Sequence, residues 1–182
     1  MNKHFSIYGF YCWLSVLILF TGCATSRKAA RAHQAAEEAK KEEVKEKYAA
    51  KLGVCVEDIS NYSLYSFIDD WYGTPYHYSG HSKEGIDCSD FVCVLYQAIY
   101  DTTLAGTAGD LYHECKTIPR DSSLKEGDMV FFRIKGNNIS HVGVYLQNNK
   151  FIHASVHNGV VISDLNEAYY RKYYYRAGRI KS

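Results

Sequence analysis

Two neighbouring segments, residues 141–147 and 150–156, constrain the fold of this chain more than any other feature. In each segment aliphatic residues alternate with other types, which is the pattern of a strand with one buried face. A two-residue turn between them would pair the wrong faces. A three-residue turn that includes an Asn in the left-handed conformation pairs Val144 with Ile152. The sequence therefore predicts an antiparallel hairpin of defined register.

This register brings two histidines together. His141 and His153 both lie on the face opposite the aliphatic side chains, and His153 faces Gly143, one diagonal step from His141. Diagonal neighbours on a sheet are about 7–8 Å apart, within reach through their side chains or a shared partner. We therefore expect the two imidazole rings to form one polar cluster.

Cys88 lies at the start of a predicted helix. Apolar residues recur at helical spacing from Phe91 to Ile99, and Asp87 is a preferred N-cap residue. The amide groups and dipole of the first turn favour a thiolate, and helix-terminal or His-paired cysteines can have pKa values of about 3.5–7.5. Asp90 opposes this effect, but we expect a protonated histidine nearby to outweigh it. The pattern predicts a nucleophilic Cys88 with a lowered pKa.

Each of these residues alone has an ordinary structural interpretation. A single cysteine on an amphipathic helix is usually a small core residue. A single histidine in a strand is usually structural or on the surface. The combination of a helix-start thiol with two histidines on one face of a hairpin instead favours a cysteine hydrolase.

The chemistry-bearing residues stand in motifs that resemble the NlpC family of bacterial cell-wall peptidases, which are relatives of papain. The matching motifs are Asp87-Cys88-Ser89, His141-Val142-Gly143, Phe151-Ile152-His153, the run from Trp71 to Tyr76 and the run from Lys125 to Phe132. The resemblance covers about residues 55–181. It implies a papain-like α+β fold and hydrolysis of peptidoglycan stem peptides, at the bond between D-glutamate and the following diamino acid. No metal or organic cofactor is implied.

The resemblance also implies a role for each site residue. The implied assignments are Cys88 as nucleophile, His141 as general base, His153 as the residue that orients it, Tyr76 beside the reaction centre as an oxyanion donor, and Asp87 and Ser89 in peptide recognition. Two departures affect the substrate subsites: Asp90 replaces a small residue, and residues 104–113 lack an expected Arg. An amidase or acyltransferase on the same fold, or a catalytically silent wall-binding lipoprotein, therefore remain alternatives.

The N-terminal segment predicts export. Lys3 precedes an apolar run at residues 10–20, which is too short to span a bilayer. The following Thr21-Gly22-Cys23 resembles a bacterial lipoprotein cleavage site, with an uncleaved signal anchor as the alternative. We expect residues 1–22 to be a signal peptide, Cys23 to carry lipid, and the protein to be anchored to a membrane of the cell envelope, outside the cytoplasm.

The remaining chain predicts a charged tether and one catalytic domain. Residues 23–51 are rich in Ala, Glu and Lys and predict a solvated, partly helical tether, and residues 52–182 predict the catalytic domain. The domain is expected to be α+β, with helices packed on an antiparallel sheet of about five strands near residues 128–134, 141–147, 150–156, 159–163 and 173–180.

Charge and cysteine content bound the partners of this domain. The net charge of +1 gives no argument for nucleic-acid binding, and we expect a monomer. The cluster of tyrosines at residues 169–175 favours a structural role over sugar stacking. Whether Cys55 and Cys115 form a disulfide is open.

Overall fold

The structure is a computed structural model that describes residues 8–119 and 124–181, with side chains described from residue 26 onward. The chain divides into two units between Glu43 and Val44. The helices are α1 (Tyr8–Leu52), α2 (Tyr62–Trp71), α3 (Cys88–Tyr100), α4 (Ala108–Glu114) and α5 (Ala168–Tyr173), with one 3-10 turn (Val56–Asp58). The strands are β1 (His81–Ser82), β2 (Gly85–Ile86), β3 (Cys115–Ile118), β4 (Met129–Phe132), β5 (His141–Tyr145), β6 (Lys150–Ser155), β7 (Gly159–Asp164) and β8 (Tyr174–Ile180).

The end of α1 belongs to the second unit. Val44, Tyr48, Ala49 and Leu52 are buried there. Their spacing places them on one side of a helix, so they form a short apolar stripe. The compact unit thus begins at Val44, eight residues before the predicted start of the catalytic domain at residue 52, which stays a prediction. The two-turn apolar stripe was not recognised because it ends a segment that is rich in charged residues.

The predicted signal segment and lipid anchor stay predictions. Residues 1–7 lie outside the described part of the chain, and so does the side chain of Cys23. Among the described residues, no helix is both long enough and apolar enough to cross a membrane.

The α+β fold class is confirmed. The main sheet has six strands in the order β3-β8-β4-β5-β6-β7, all antiparallel. The five predicted strands are all present. Sequence reasoning missed the four-residue strand β3, the short pair β1–β2 and the short helices α4 and α5. Helix α4 lies where an irregular connection was expected. Such short elements carry too few periods of alternation to be recognised.

The predicted hairpin register is also confirmed. Val144 pairs with Ile152, and Tyr145 pairs with Phe151. Asn148 and Asn149 in the turn have φ angles of 47° and 59°, which is the left-handed conformation that Asn tolerates.

The two faces of the sheet differ in their covering. We call one the helix-covered face, where Val142, Val144 and Ile152 pack in one cluster with Phe91 and Leu95 of α3. We call the other the aromatic face, where Phe132 and Phe151 pack with Tyr170, Tyr173 and Tyr174. The structural interpretation of the tyrosine cluster thus holds for these three side chains, whereas Tyr169 is half exposed.

Candidate active site

Asp87 begins helix α3 as its N-cap. One carboxylate oxygen accepts hydrogen bonds from the backbone N–H groups of Ser89 and Asp90, both at 2.9 Å, and from the hydroxyl of Ser89 at 2.8 Å. The other oxygen accepts from the backbone N–H of Ser79 at 3.2 Å. The described contacts of Asp87 and Ser89 therefore place both in the cap that orients the start of α3. Their predicted role in peptide recognition stays a prediction.

Cys88 is the first residue of α3, and only 7% of it is exposed. The backbone N–H of Val142, the residue that follows His141, is close enough to its sulfur to favour the thiolate. The thiol therefore lies at the beginning of strand β5. The N-terminus of a helix and the start of a strand therefore meet at the predicted nucleophile.

Burial raises the pKa of the Cys88 thiol to about 11, although the Val142 amide and the first-turn amides act in the opposite direction, and the nearby Asp87 raises it further. The expected lowering of this pKa is therefore wrong for the structure as it stands. The helix terminus does favour the thiolate, as predicted, but removing the sulfur from water costs the charged form more. The resting site holds a neutral thiol at pH 7.

His141 and His153 lie side by side within the sheet. Nε2 of His141 is 2.8 Å from Nδ1 of His153, and the two rings meet edge to face at 4.9 Å. His141 is 6% exposed and His153 is 1% exposed. Burial lowers the pKa of His141 to about 4 and lowers the pKa of His153 as well. The two histidines are therefore neutral at pH 7, like the thiol.

The ring of His153 has further partners on the aromatic face. Its Nε2 lies 3.1 Å from the hydroxyl oxygen of Ser163 and 3.2 Å from that of Tyr170. Phe151 stacks on the ring at 4.8 Å. Sequence reasoning missed Ser163 and Tyr170 as site residues. The alternating pattern of β7 and the tyrosine-rich segment predict packing, but neither predicts that both hydroxyls contact His153.

A cleft of about 440 Å³ opens beside the two histidines. Its walls include Tyr76, His141, His153, Tyr170, Lys135 and Glu167. Burial raises the pKa of Tyr76, and the proximity of Cys88 and then Asp87 raises it further. Tyr76 is held in place because its residue bridges to Ile86, just before the nucleophile helix. Tyr76, His141 and His153 thus line one cleft, Cys88 lies near Tyr76, and Asp87 and Ser89 lie in the cap of α3. The catalytic grouping of Cys88 with the two histidines stays a prediction.

Asp90 faces away from this arrangement. Its carboxylate pairs with the imidazole of His81. Asp87 contributes to the raised pKa of Cys88, whereas Asp90 contributes to that of Cys93. The expectation that Asp90 opposes ionisation of the catalytic thiol is therefore wrong, because its side chain turns toward the β1–β2 pair.

The structure also describes the three other cysteines of the compact unit and the connection at residues 104–113. Cys55, Cys93 and Cys115 are free, as is Cys88, so the open question of a Cys55–Cys115 disulfide is answered in the negative for this structure. The connection at residues 104–113 leads into helix α4, which begins at Ala108 and is capped by Thr107. Among the described side chains, no cluster of three or more His, Cys, Asp or Glu residues is arranged to hold a metal ion.

Comparison with known proteins places this geometry in a family. Residues 73–179 match the model of the NlpC/P60 family. A probable endopeptidase NlpC homologue of Haemophilus influenzae is 42% identical over 118 residues, covering 65% of this chain and 62% of the relative. The murein DD-endopeptidase MepS/murein LD-carboxypeptidase of Escherichia coli is 41% identical over 113 residues, covering 62% of this chain and 59% of the relative. The chain thus spans about three fifths of the length of these relatives.

Solved structures agree with the sequence comparison. The crystal structure of an NlpC/P60 family protein from Bacillus cereus superposes with a TM-score of 0.59 and 26% identity, covering 65% of this chain and 39% of that protein. The match spans less than half of the Bacillus protein, so the shared part is the domain and not the whole architecture.

Proposed function

Because the chain belongs to the NlpC/P60 family, we propose that it is a cysteine peptidase that hydrolyses peptidoglycan stem peptides. Two observations support the proposal: a buried thiol lies at a helix N-terminus close to Val142, and His141, the chain neighbour of Val142, pairs with His153 beside an open cleft. The names of the relatives support the substrate class, since one is a murein endopeptidase and another a probable endopeptidase.

In the proposed reaction, His141 acts as the general base. Since its Nε2 is engaged by His153, its Nδ1 is the nitrogen left to serve Cys88. Nδ1 takes the thiol proton as the sulfur attacks the scissile carbonyl carbon, and it then gives that proton to the leaving amine. Water cleaves the resulting thioester, again with His141 as base, which regenerates the thiol. The neutral Cys88 thiol and neutral His141 of the resting site fit this series of steps, because the proton transfer then accompanies attack on bound substrate.

We assign the developing oxyanion to the backbone amide of Cys88 and to Tyr76. The amide belongs to the first turn of α3, where N–H groups have no partner within the helix. Tyr76 supplies a phenol O–H from the cleft wall, close enough to Cys88 for the sulfur to raise the pKa of the phenol. Donors that are already in place stabilise the tetrahedral intermediate without reorganisation.

Two scissile bonds are candidates. The bond between D-glutamate and the diamino acid follows from the sequence resemblance. A DD bond is favoured by the name of the Escherichia coli relative, a murein DD-endopeptidase. Either bond lies outside the cytoplasm, in keeping with the predicted signal peptide and the lipid at Cys23.

The test is a digestion of purified peptidoglycan by the full chain in detergent, with the released fragments identified by mass spectrometry. We expect Cys88→Ala to abolish release while its thermal midpoint stays near that of the wild type. Cys93→Ala is the matched control, because Cys93 lies on the same helix and should be dispensable. The mass of the new termini distinguishes the two bonds, and an amine transferred in place of water would reveal an acyltransferase. Release by Cys88→Ala would refute the assignment of the nucleophile.

A further inference from the structure

Nε2 of His153, the ring nitrogen that does not contact His141, contacts two hydroxyl groups that have no role in the proposed reaction. Nε2 lies 3.1 Å from the Ser163 oxygen and 3.2 Å from the Tyr170 oxygen. The Ser163 hydroxyl in turn donates to the Tyr170 oxygen at 3.3 Å. A chain of hydrogen bonds therefore runs from the proposed base, His141, through His153 to a serine on β7 and a tyrosine on α5.

The direction of protons along this chain decides whether His141 can act as a base. A neutral imidazole carries one proton, on one of its two nitrogens. If Nδ1 of His141 is to take the thiol proton, the ring proton must lie on Nε2 and be donated to Nδ1 of His153. The proton of His153 must then lie on its own Nε2, which requires an acceptor at that position.

The reverse arrangement is equally neutral but inactive. If a hydroxyl donates to Nε2 of His153, the proton of His153 moves to Nδ1 and points at Nε2 of His141. His141 then carries its proton on Nδ1, facing the thiol. A histidine in that tautomer is unable to accept the proton of Cys88.

We propose that Ser163, oriented by Tyr170, is a positioning residue that accepts the Nε2 proton of His153 and so keeps Nδ1 of His141 free for Cys88. The Ser163 hydroxyl has a single proton, and its bond to the Tyr170 oxygen engages that proton. Its lone pairs remain to accept from His153. This proposal rests on the proposed function, since it assigns a role within the same reaction.

The packing around His153 supports a positioning role. Phe151 stacks on one side of the imidazole at 4.8 Å and 25°, and Tyr170 meets it edge to face at 5.4 Å and 78°. Tyr170 also meets Phe151 edge to face at 4.9 Å. Since these rings hold the imidazole plane, the hydroxyl of Ser163 stays aligned with Nε2.

The first experiment measures steady-state hydrolysis of soluble peptidoglycan fragments. We expect Ser163→Ala to lower kcat about 3- to 10-fold, the effect of losing one hydrogen bond of ordinary strength, with KM unchanged. Ser163→Thr retains a hydroxyl and should restore most of kcat. Tyr170→Phe should lower kcat by a smaller factor than Ser163→Ala, because it removes only the partner of the Ser163 hydroxyl.

Two variants serve as matched controls. Ser66→Ala removes a half-buried hydroxyl on α2, and Tyr173→Phe removes a phenol oxygen on the same helix as Tyr170. Both should retain the wild-type kcat. A wild-type kcat in Ser163→Ala, or a larger loss in Tyr170→Phe than in Ser163→Ala, would overturn the proposal.

The second experiment reads the tautomers directly by NMR of imidazole 15N nuclei in the full chain. We expect the wild type to carry protons on Nε2 of both His141 and His153, and Ser163→Ala to show a mixture of tautomers that Ser163→Thr removes. A wild-type spectrum with His141 protonated on Nδ1 would overturn the proposal. This measurement needs no turnover, so a failure of the positioning role is distinguishable from a failure of the proposed peptidase activity.

Discussion

The two faces of the main sheet are built from the same strands but bury different kinds of side chain. On the helix-covered face, Val142, Val144 and Ile152 pack with α3 in a mainly apolar layer. On the aromatic face, the neighbouring residues His141 and His153 are nearly as inaccessible, but each carries polar nitrogens. The first face needs only volume and hydrophobicity, whereas the second needs every nitrogen to have a partner in the right direction.

This difference teaches why the site combines burial with aromatic rings. Aromatic neighbours exclude water without offering competing charges, so the histidines stay neutral, and their hydrogen bonds act in a medium of low dielectric. Burial likewise holds Cys88 as a thiol, although its side chain packs in the apolar cluster of the helix-covered face. Removing a polar group that contacts the two histidines should therefore affect catalysis, and removing an apolar side chain from the helix-covered face should affect stability.

The largest expected effect is the loss of His141 from the aromatic face. His141→Ala should reduce hydrolysis about 10²- to 10⁴-fold, which is the usual contribution of a general base. His153→Asn should keep measurable activity, because the Asn side-chain oxygen can still accept the Nε2 proton of His141. Rates at saturating substrate test both variants, with thermal midpoints as the folding control. Equal and complete loss in both would show that His153 does more than orient the base.

The second prediction concerns the helix-covered face. Leu95 is fully buried on α3, so Leu95→Ala should lower the free energy of unfolding by about 2–5 kcal/mol. The kcat of the folded fraction should stay near the wild-type value, since Leu95 lies about two helical turns from Cys88 on α3 and does not line the cleft. Urea unfolding and kinetics on the same sample measure the two quantities. A drop in kcat comparable with that of His141→Ala would mean that the two faces are not separable.

A third prediction concerns Gly143 on β5, the strand that carries side chains of both faces. A Cβ at Gly143 would lie 2.7 Å from a ring carbon of Phe151, 2.8 Å from the carbonyl oxygen of Ile152 and 3.0 Å from the Cβ of His153. Gly143→Ala should therefore cost about 1–3 kcal/mol of unfolding free energy and also lower kcat, because relief of the clash displaces His153.

The matched control for that change is Gly109→Ala in α4, where the added Cβ meets only the Thr107 hydroxyl at 3.6 Å. This variant should be neutral or slightly stabilising, since Ala also restricts the unfolded chain. A stability loss in Gly109→Ala as large as that in Gly143→Ala would show that the cost at Gly143 is not a matter of close packing.

The helix-covered face was also the part most accessible to sequence reasoning. Apolar periodicity predicts the buried side of α3, and matching of aliphatic residues predicts the register of Val144 against Ile152. The proximity of His141 and His153 follows from that register alone. In these regions local pattern and final packing agree, because one rule, burial of apolar side chains, decides both.

The aromatic face was less predictable for physical reasons. Ser163 and Tyr170 become partners of His153 only through the fold, since their hydroxyls meet it from β7 and α5. The raised pKa of Cys88 depends on the degree of burial, which a helix-start motif does not encode. The orientation of the Asp90 side chain was likewise not predictable from the sequence, because it depends on the short β1–β2 pair that brings His81 near.

The smallest expected effect is that of Asp90 on the pKa of the Cys88 thiol. The Asp90 carboxylate lies on neither face of the main sheet, so this prediction tests a charge outside the two faces. Because the Asp90 carboxylate pairs with His81, Asp90→Asn should leave the pKa of Cys88 unchanged. Asp87→Asn is the matched variant: Asn caps helices about as well as Asp, and removal of a contributing negative charge should lower the pKa of Cys88 modestly.

The measurement is the rate of Cys88 alkylation against pH, followed on its own peptide by mass spectrometry so that Cys55, Cys93 and Cys115 do not interfere. In the wild type the rate should rise steeply only above pH 9, toward the raised pKa of about 11. The shift in Asp87→Asn should shrink in high salt to the extent that solvent reaches the pair. A lower pKa in Asp90→Asn would instead mean that the first-turn carboxylate acts on the thiol, and that its pairing with His81 does not hold it away.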